Sequence, residues 1–171
     1  MKATLQRAAL ALTAVLSMMA APATAQTAFE FRGETTSAVV DLATKPACRG
    51  FMSPSADGTF CIAPVEVAGV SNVLVSTRYY EGRMNLLGGT FNPRGYVTIL
   101  NAFSEKYGPP ELTNPDWQST LGATFPNTVA TWIFSDGTLT LKLRGSRQTE
   151  SQFIFEATVN QPPVAPPVVN F

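Results

Sequence analysis

Histidine is absent from all 171 residues. That removes every mechanism needing an imidazole base or an imidazole metal ligand. Charge is scarce: 14% of residues are Asp, Glu, Lys or Arg, and the formal net charge is zero. Setting aside Lys2 and Arg7 at the N-terminus leaves 10 basic against 12 acidic residues, a net of −2. No basic footprint exists for nucleic acid or for an anionic membrane surface. Cysteine occurs only twice. Hydrophobic residues make up 45% of the chain, ample for a core, so wholesale disorder is excluded. The length fits one domain, or at most a domain assembled from two similar halves.

One long apolar run is present, residues 8–21, with Lys2 and Arg7 before it and Ala23-Thr24-Ala25 after it. This is the pattern of a cleavable signal peptide and predicts cleavage after Ala25. A membrane anchor is the alternative reading. The run is shorter than the ~18–20 residues a span needs, and Pro22 closes it. No second span follows, so the mature chain is expected to lack an integral membrane segment and to be periplasmic or secreted. The expected organisation is a signal peptide (1–25), one domain (26–160) and a Pro-rich flexible tail (161–171). Cys48 and Cys61, an even pair in an exported chain, are expected to form a disulfide around residues 49–60. They lack the close spacing of a redox-active pair.

Residues 29–31 read as a short strand. Thr35 or Thr36 is placed to cap a short helix over residues 37–44, ended by Lys45-Pro46. The clearest hairpin joins residues 71–80 and 83–91 through Glu81-Gly82. Alternation puts Val73, Val75, Thr77 and Tyr79 on one face, with Tyr79 opposite Met84 and Thr77 opposite Leu86. Asn92-Pro93 opens a helix carrying Tyr96, Ile99, Leu100, Phe103 and Tyr107 at helical spacing, and Gly108 closes it. Residues 111–119 read as a loop. A second hairpin turns at Asp136-Gly137, setting Ala130, Trp132 and Phe134 against Leu139, Leu141 and Leu143. A last strand covers residues 151–159. The predicted fold class is α+β, in the order helix, hairpin, helix, hairpin, strand, with two helices on one face of an antiparallel sheet.

Gly33-Glu34-Thr35, followed by Val39, Ala43 and Pro46, resembles the opening of the first helix in the small BamE/SmpA-type lipoproteins of the outer-membrane β-barrel assembly machine. The helix–strand–strand order, repeated with a disulfide, is also similar to the tandem halves of the secreted β-lactamase inhibitor proteins. Lys106-Tyr107-Gly108-x-Pro110 closes the second helix in the manner of that wider group. No cysteine stands at the cleavage site, so the lipid anchor of the lipoproteins is not expected here. The resemblance implies a non-catalytic protein-binding module.

Catalytic constellations are hard to assemble. Ser104 and Lys106 point apart on a helix. Asp57, Glu81 and Asp136 each precede a glycine, where turn formation explains them. Glu111 and Asp116 flank a loop next to Trp117. Neither a calcium-loop nor a phosphate-loop spacing occurs, and no cofactor or metal is expected. The outer face of the first hairpin is the preferred site, with Arg78, Tyr80, Arg83 and Asn85 as binding residues. Leu74 and Leu87 would extend it if exposed. The expected function is therefore an exported, non-catalytic protein-binding module, of inhibitor or envelope-assembly type, whose partner is another envelope or secreted protein. The alternative is a sensor of a small ligand or envelope polymer, with a cleft between sheet and helices. A third possibility is a histidine-independent hydrolase.

Overall fold

The computed structural model describes residues 27–45, 48, 52–55 and 58–163. The expected signal peptide and residues 164–171 of the tail lie outside them, as does Asp57.

Strands dominate. β1 (Glu30–Phe31) and β2 (Glu34–Thr35) form a small hairpin. β3 (Met52–Ser55), β4 (Gly58–Val67), β5 (Val70–Tyr80) and β6 (Arg83–Phe91) follow as an antiparallel meander. A 3-10 turn (Pro93–Gly95) leads into α1 (Tyr96–Tyr107). Then come β7 (Glu111–Thr113), β8 (Asp116–Gln118), β9 (Thr124–Pro126), β10 (Val129–Phe134), β11 (Gly137–Lys142) and β12 (Ser151–Ala157). Eight of these strands make one antiparallel sheet, in the order β3-β4-β5-β6-β12-β11-β10-β7. β12 closes the sheet by pairing with β6, which joins the two hairpins into one layer.

The expectation of two helices on a sheet face is overturned. The fold is mostly β, and α1 with its 3-10 lead-in is the helix packed on the sheet. Residues 37–44 contain bends and turns instead of a helix. The stretch is too short to hold a helix unaided, and its β-branched pair Val39-Val40 disfavours one. Its backbone is recruited elsewhere: the Val40 N–H donates to the Gly82 carbonyl at 2.9 Å. The Thr36 hydroxyl donates to Asp136 rather than capping a helix.

α1 forms where the sequence predicts it. Asn92 Oδ1 accepts the Arg94 N–H at 3.0 Å, Pro93 fills the next position, and Gly108 ends the helix at φ 83°. Its Tyr96, Ile99 and Phe103 are buried against the sheet. Phe103 packs edge-on to both Trp132 and Phe153. Phe29, from the N-terminal segment, stacks on Phe155 with ring centroids 3.9 Å apart.

Register decides which side chains join this core. The pairs Trp132↔Leu139, Leu139↔Phe155, Phe155↔Leu87 and Leu87↔Thr77 form one continuous inward row across five strands. The first hairpin carries a bulge after Arg78, so Thr77 faces Leu87 rather than the expected Leu86. One inserted residue reverses the facing of everything beyond it. Leu87 is therefore fully buried, and Leu86 pairs with Arg78 on the outer side.

β3 lies within the stretch read as a disulfide loop, and β4 runs from the end of that stretch through Val67. Pro64 argues against a strand in the sequence, yet it is tolerated for a positional reason. β3 pairs only with residues 58–61 of β4. Among the described residues no strand pairs with β4 beyond them on that side, and proline is accommodated at such a sheet edge.

Candidate functional site

α1 and Phe29 cover the half of the inner face built from β12, β11 and β10. The half built from β4, β5 and β6 is overlain by the segment that holds β1, β2 and Lys45. A cleft of about 650 Å³ remains between that segment and the sheet. Ala63 and Val65 of β4, Val75 and Thr77 of β5, and Leu87 of β6 line it from the sheet side. Strand pairing places them side by side, through Ala63↔Val75 and Thr77↔Leu87. Phe31, Arg32, Glu34, Thr44 and Lys45 line the opposite side.

The cleft wall is held by polar and covalent ties. Glu34 forms an ion pair with Lys45 through one carboxylate oxygen and accepts the Tyr79 hydroxyl at 2.9 Å through the other. The Lys45 ammonium also lies 5.7 Å from the Tyr79 ring centre. Burial, and then the neighbouring Glu34 charge, push the Tyr79 hydroxyl well above the usual tyrosine range, so it stays a neutral donor. The Cys48–Cys61 disulfide anchors this wall to β4, and the Cys48 N–H donates to the Lys45 carbonyl at 3.1 Å.

Arg32 stands differently. It occupies the first central position of the β1–β2 turn, with φ 54° followed by Gly33 at 82°. Both values are left-handed, the geometry that joins two short strands with matched twist. Its Nη1 donates to the Glu66 backbone carbonyl at 2.6 Å. Ion pairs among the described residues are Lys45–Glu34 and Lys106–Glu30, and Arg32 is in neither.

A smaller cavity of about 340 Å³ opens beside Thr27, Glu30, Lys106 and Tyr107. Lys106 there donates to the Glu30 carboxylate at 2.6 Å and to its backbone carbonyl at 2.9 Å. The Lys106 hydrogen bond, and then the Gly33 N–H, hold the Glu30 carboxyl below its usual range. These groups satisfy one another and tie α1 to β1.

The residues favoured from sequence are placed as follows. Arg78 Nε donates to Asn85 Oδ1 at 2.9 Å, and the guanidinium lies 5.7 Å from the Phe60 ring centre. Asn85 is 1% exposed, and its Nδ2 donates to the Asn160 carbonyl at 3.1 Å. Arg83 donates to the Ser37 carbonyl. Tyr80 is half-buried and lies opposite Arg83 in the register. The structure thus brings Arg78 and Asn85 together, as internal bracing of the bulge, and uses Arg83 to fasten the N-terminal segment. Leu74 is exposed on the outer face, whereas Leu87 is buried beneath the cleft. Glu111 and Asp116 are exposed on separate strands, β7 and β8.

Sequence reasoning missed Arg32 and Glu34, which belong to the short β1–β2 hairpin, Lys45, which follows the turn at 42–44, and Ala63 and Val65, which sit in a strand containing proline. The alternation Cys61, Ala63, Val65, Val67 was the available signal. No protein-family model, no curated protein and no solved structure matches this chain.

Proposed function

We propose that the protein is an exported, non-catalytic binding protein that takes a small, largely apolar ligand in the cleft over β4, β5 and β6. The observation carrying this reading is the lining itself. Ala63, Val65 and Val75, backed by the buried Leu87, form an apolar floor beneath about 650 Å³ of open space. That volume lies within the ~300–1,000 Å³ typical of small-molecule sites. Val65 and Val75 are only partly buried although they point to the core side of the sheet. Unfilled apolar surface of this kind favours an occupant, because covering it removes it from water. Export is supported by the apolar N-terminal run and by the disulfide.

A second reading, a protein partner on the outer sheet face, has exposed Leu74 and Ile133 in its favour. These lie on β5 and β10, four strand spacings apart in the sheet, or roughly 19 Å. They do not form one patch, so the cleft carries more weight.

The test is titration of the mature chain with an uncharged, environment-sensitive fluorescent probe. The wild type is compared with Val75→Trp, which fills the cleft, and with Ala63→Leu, a milder intrusion. Saturable binding that falls in both variants at an unchanged melting temperature supports the cleft. Equal binding by all three proteins would overturn it.

A further inference from the structure

We infer that the ligand of this cleft is a monomeric anionic amphiphile: an acyl or alkyl chain along the part-exposed Ala63, Val65 and Val75, and an acidic head group on Arg32. This inference rests on the cleft being a ligand site and adds the head-group chemistry.

Three charged side chains border the cleft, and they are not equivalent. Glu34 is committed at both oxygens, to Lys45 and to Tyr79. It has no free charge to offer a cationic ligand. Lys45 is neutralised by Glu34. Among the described residues Arg32 is in no ion pair, and its hydrogen bond goes to the neutral Glu66 backbone carbonyl. A guanidinium carries five N–H donors in a planar fork suited to carboxylate or phosphate. The bond to Glu66 uses Nη1 and leaves the other donors unpaired among the described residues.

The position of Arg32 is also built rather than incidental. A left-handed conformation disfavours a residue with a Cβ by about 1–2 kcal/mol, yet arginine stands there at φ 54°. The turn is braced, since the Gly33 N–H donates to the Glu30 carboxylate, which Lys106 also holds. A cation bordering an apolar floor complements a molecule with an anionic head and an apolar body. The bond at Glu66 orients the guanidinium before the ligand arrives, so little side-chain entropy is left to lose.

The experiment compares dodecanoate, dodecanol and inorganic phosphate by calorimetric titration of the mature chain, with the amphiphiles held monomeric. Dodecanoate should bind about tenfold more tightly than dodecanol, the margin of one charge-assisted bond pair. Arg32→Gln should erase that margin, bringing dodecanoate to the affinity of dodecanol, whereas Arg32→Lys should keep most of it, and added salt should narrow the margin. Inorganic phosphate alone should show no binding at millimolar concentration. If dodecanoate and dodecanol bind equally while Val75→Trp abolishes both, the head-group assignment fails and the cleft stands. If neither binds, both readings fail. Phosphate binding as tight as dodecanoate would make this a plain anion site and overturn the inference. Binding to anionic phospholipid vesicles without binding of the monomer would overturn it in favour of a membrane surface.

Discussion

Asp136 Oδ1 accepts the backbone N–H of Phe29 at 2.8 Å, across 107 residues of chain. Its other oxygen accepts the Thr36 hydroxyl. Phe29 and Thr36 bracket the β1–β2 hairpin, so one buried aspartate in the β10–β11 turn pins the segment that carries Arg32 and Glu34. Asp136→Ala strands two donors at once and is expected to cost about 2–4 kcal/mol. Asp136→Asn retains an acceptor and should cost about half as much. Urea denaturation measures both, and an alanine variant as stable as the wild type would show that the segment is held by its aromatic contacts alone.

Gly89 faces Phe153 across the β6–β12 ladder. A Cβ at position 89 would lie 2.2 Å from the Phe153 ring. Gly89→Ala should therefore destabilise the fold by about 2–4 kcal/mol through overpacking. Combining it with Phe153→Leu should recover part of that loss. A strictly additive double variant would refute the direct clash.

The disulfide links Cys48 and Cys61 at a separation of 13 residues. Closing such a loop is worth about 3 kcal/mol in the chain-entropy model. The Cys48→Ala/Cys61→Ala double variant should lose about that much stability. It should also bind the cleft probe more weakly, because the wall at Thr44 and Lys45 loses its anchor to β4. Unchanged probe affinity in a folded double variant would separate the disulfide from the site.

Stability should fall at both pH extremes, for different reasons. Burial raises the hydroxyl pKa of Tyr79, Tyr107 and Tyr96 above the ordinary 10.0. Below pH 10 both folded and unfolded chains keep these protons. Above it the unfolded chain releases them first, so stability declines as pH rises. Glu30 is lowered from 4.5, first by the Lys106 hydrogen bond. Its contribution is complete above pH 4.5 and is lost as pH falls further, when the unfolded chain takes up the proton first. The Glu30–Lys106 pair is largely solvent-exposed, so this acid limb should be the shallower one. Melting temperatures against pH, read beside tyrosinate absorbance, check both limbs. Tyrosine ionisation completed before unfolding would contradict the alkaline part.

Asn85→Ala separates bracing from binding on the first hairpin. Asn85 is 1% exposed and links Arg78 to Asn160. Its loss should cost about 1–3 kcal/mol without weakening the probe at the cleft. A fall in probe affinity at unchanged stability would return the hairpin residues to the site.

Elements with local chemistry were legible in the sequence. The Asn92-Pro93 start, the Gly108 stop and the spacing of Tyr96, Ile99 and Phe103 define α1 before any tertiary contact is considered. Glu81-Gly82 and the alternation around it define the β5–β6 hairpin, and alternation likewise defines β10, β11 and β12. The bulge after Arg78 was not legible, because both registers bury apolar residues, Leu86 in one and Leu87 in the other. β4 was hidden by Pro64, which is acceptable only because β3 stops short of it.

The sequence by itself determined the apolar N-terminal run, the lack of histidine chemistry, the cysteine pair, one helix and the main hairpins. All of these follow from residue type or from contacts a few positions apart. The tertiary structure alone decided that residues 37–44 are not a helix, that Asp136 is an anchor and that the hairpin residues Arg78 and Asn85 brace the fold. It also decided that Arg32 borders an apolar cleft. Each of these depends on contacts between strands or segments far apart in sequence, and such contacts are set by the register of the whole sheet rather than by local preference.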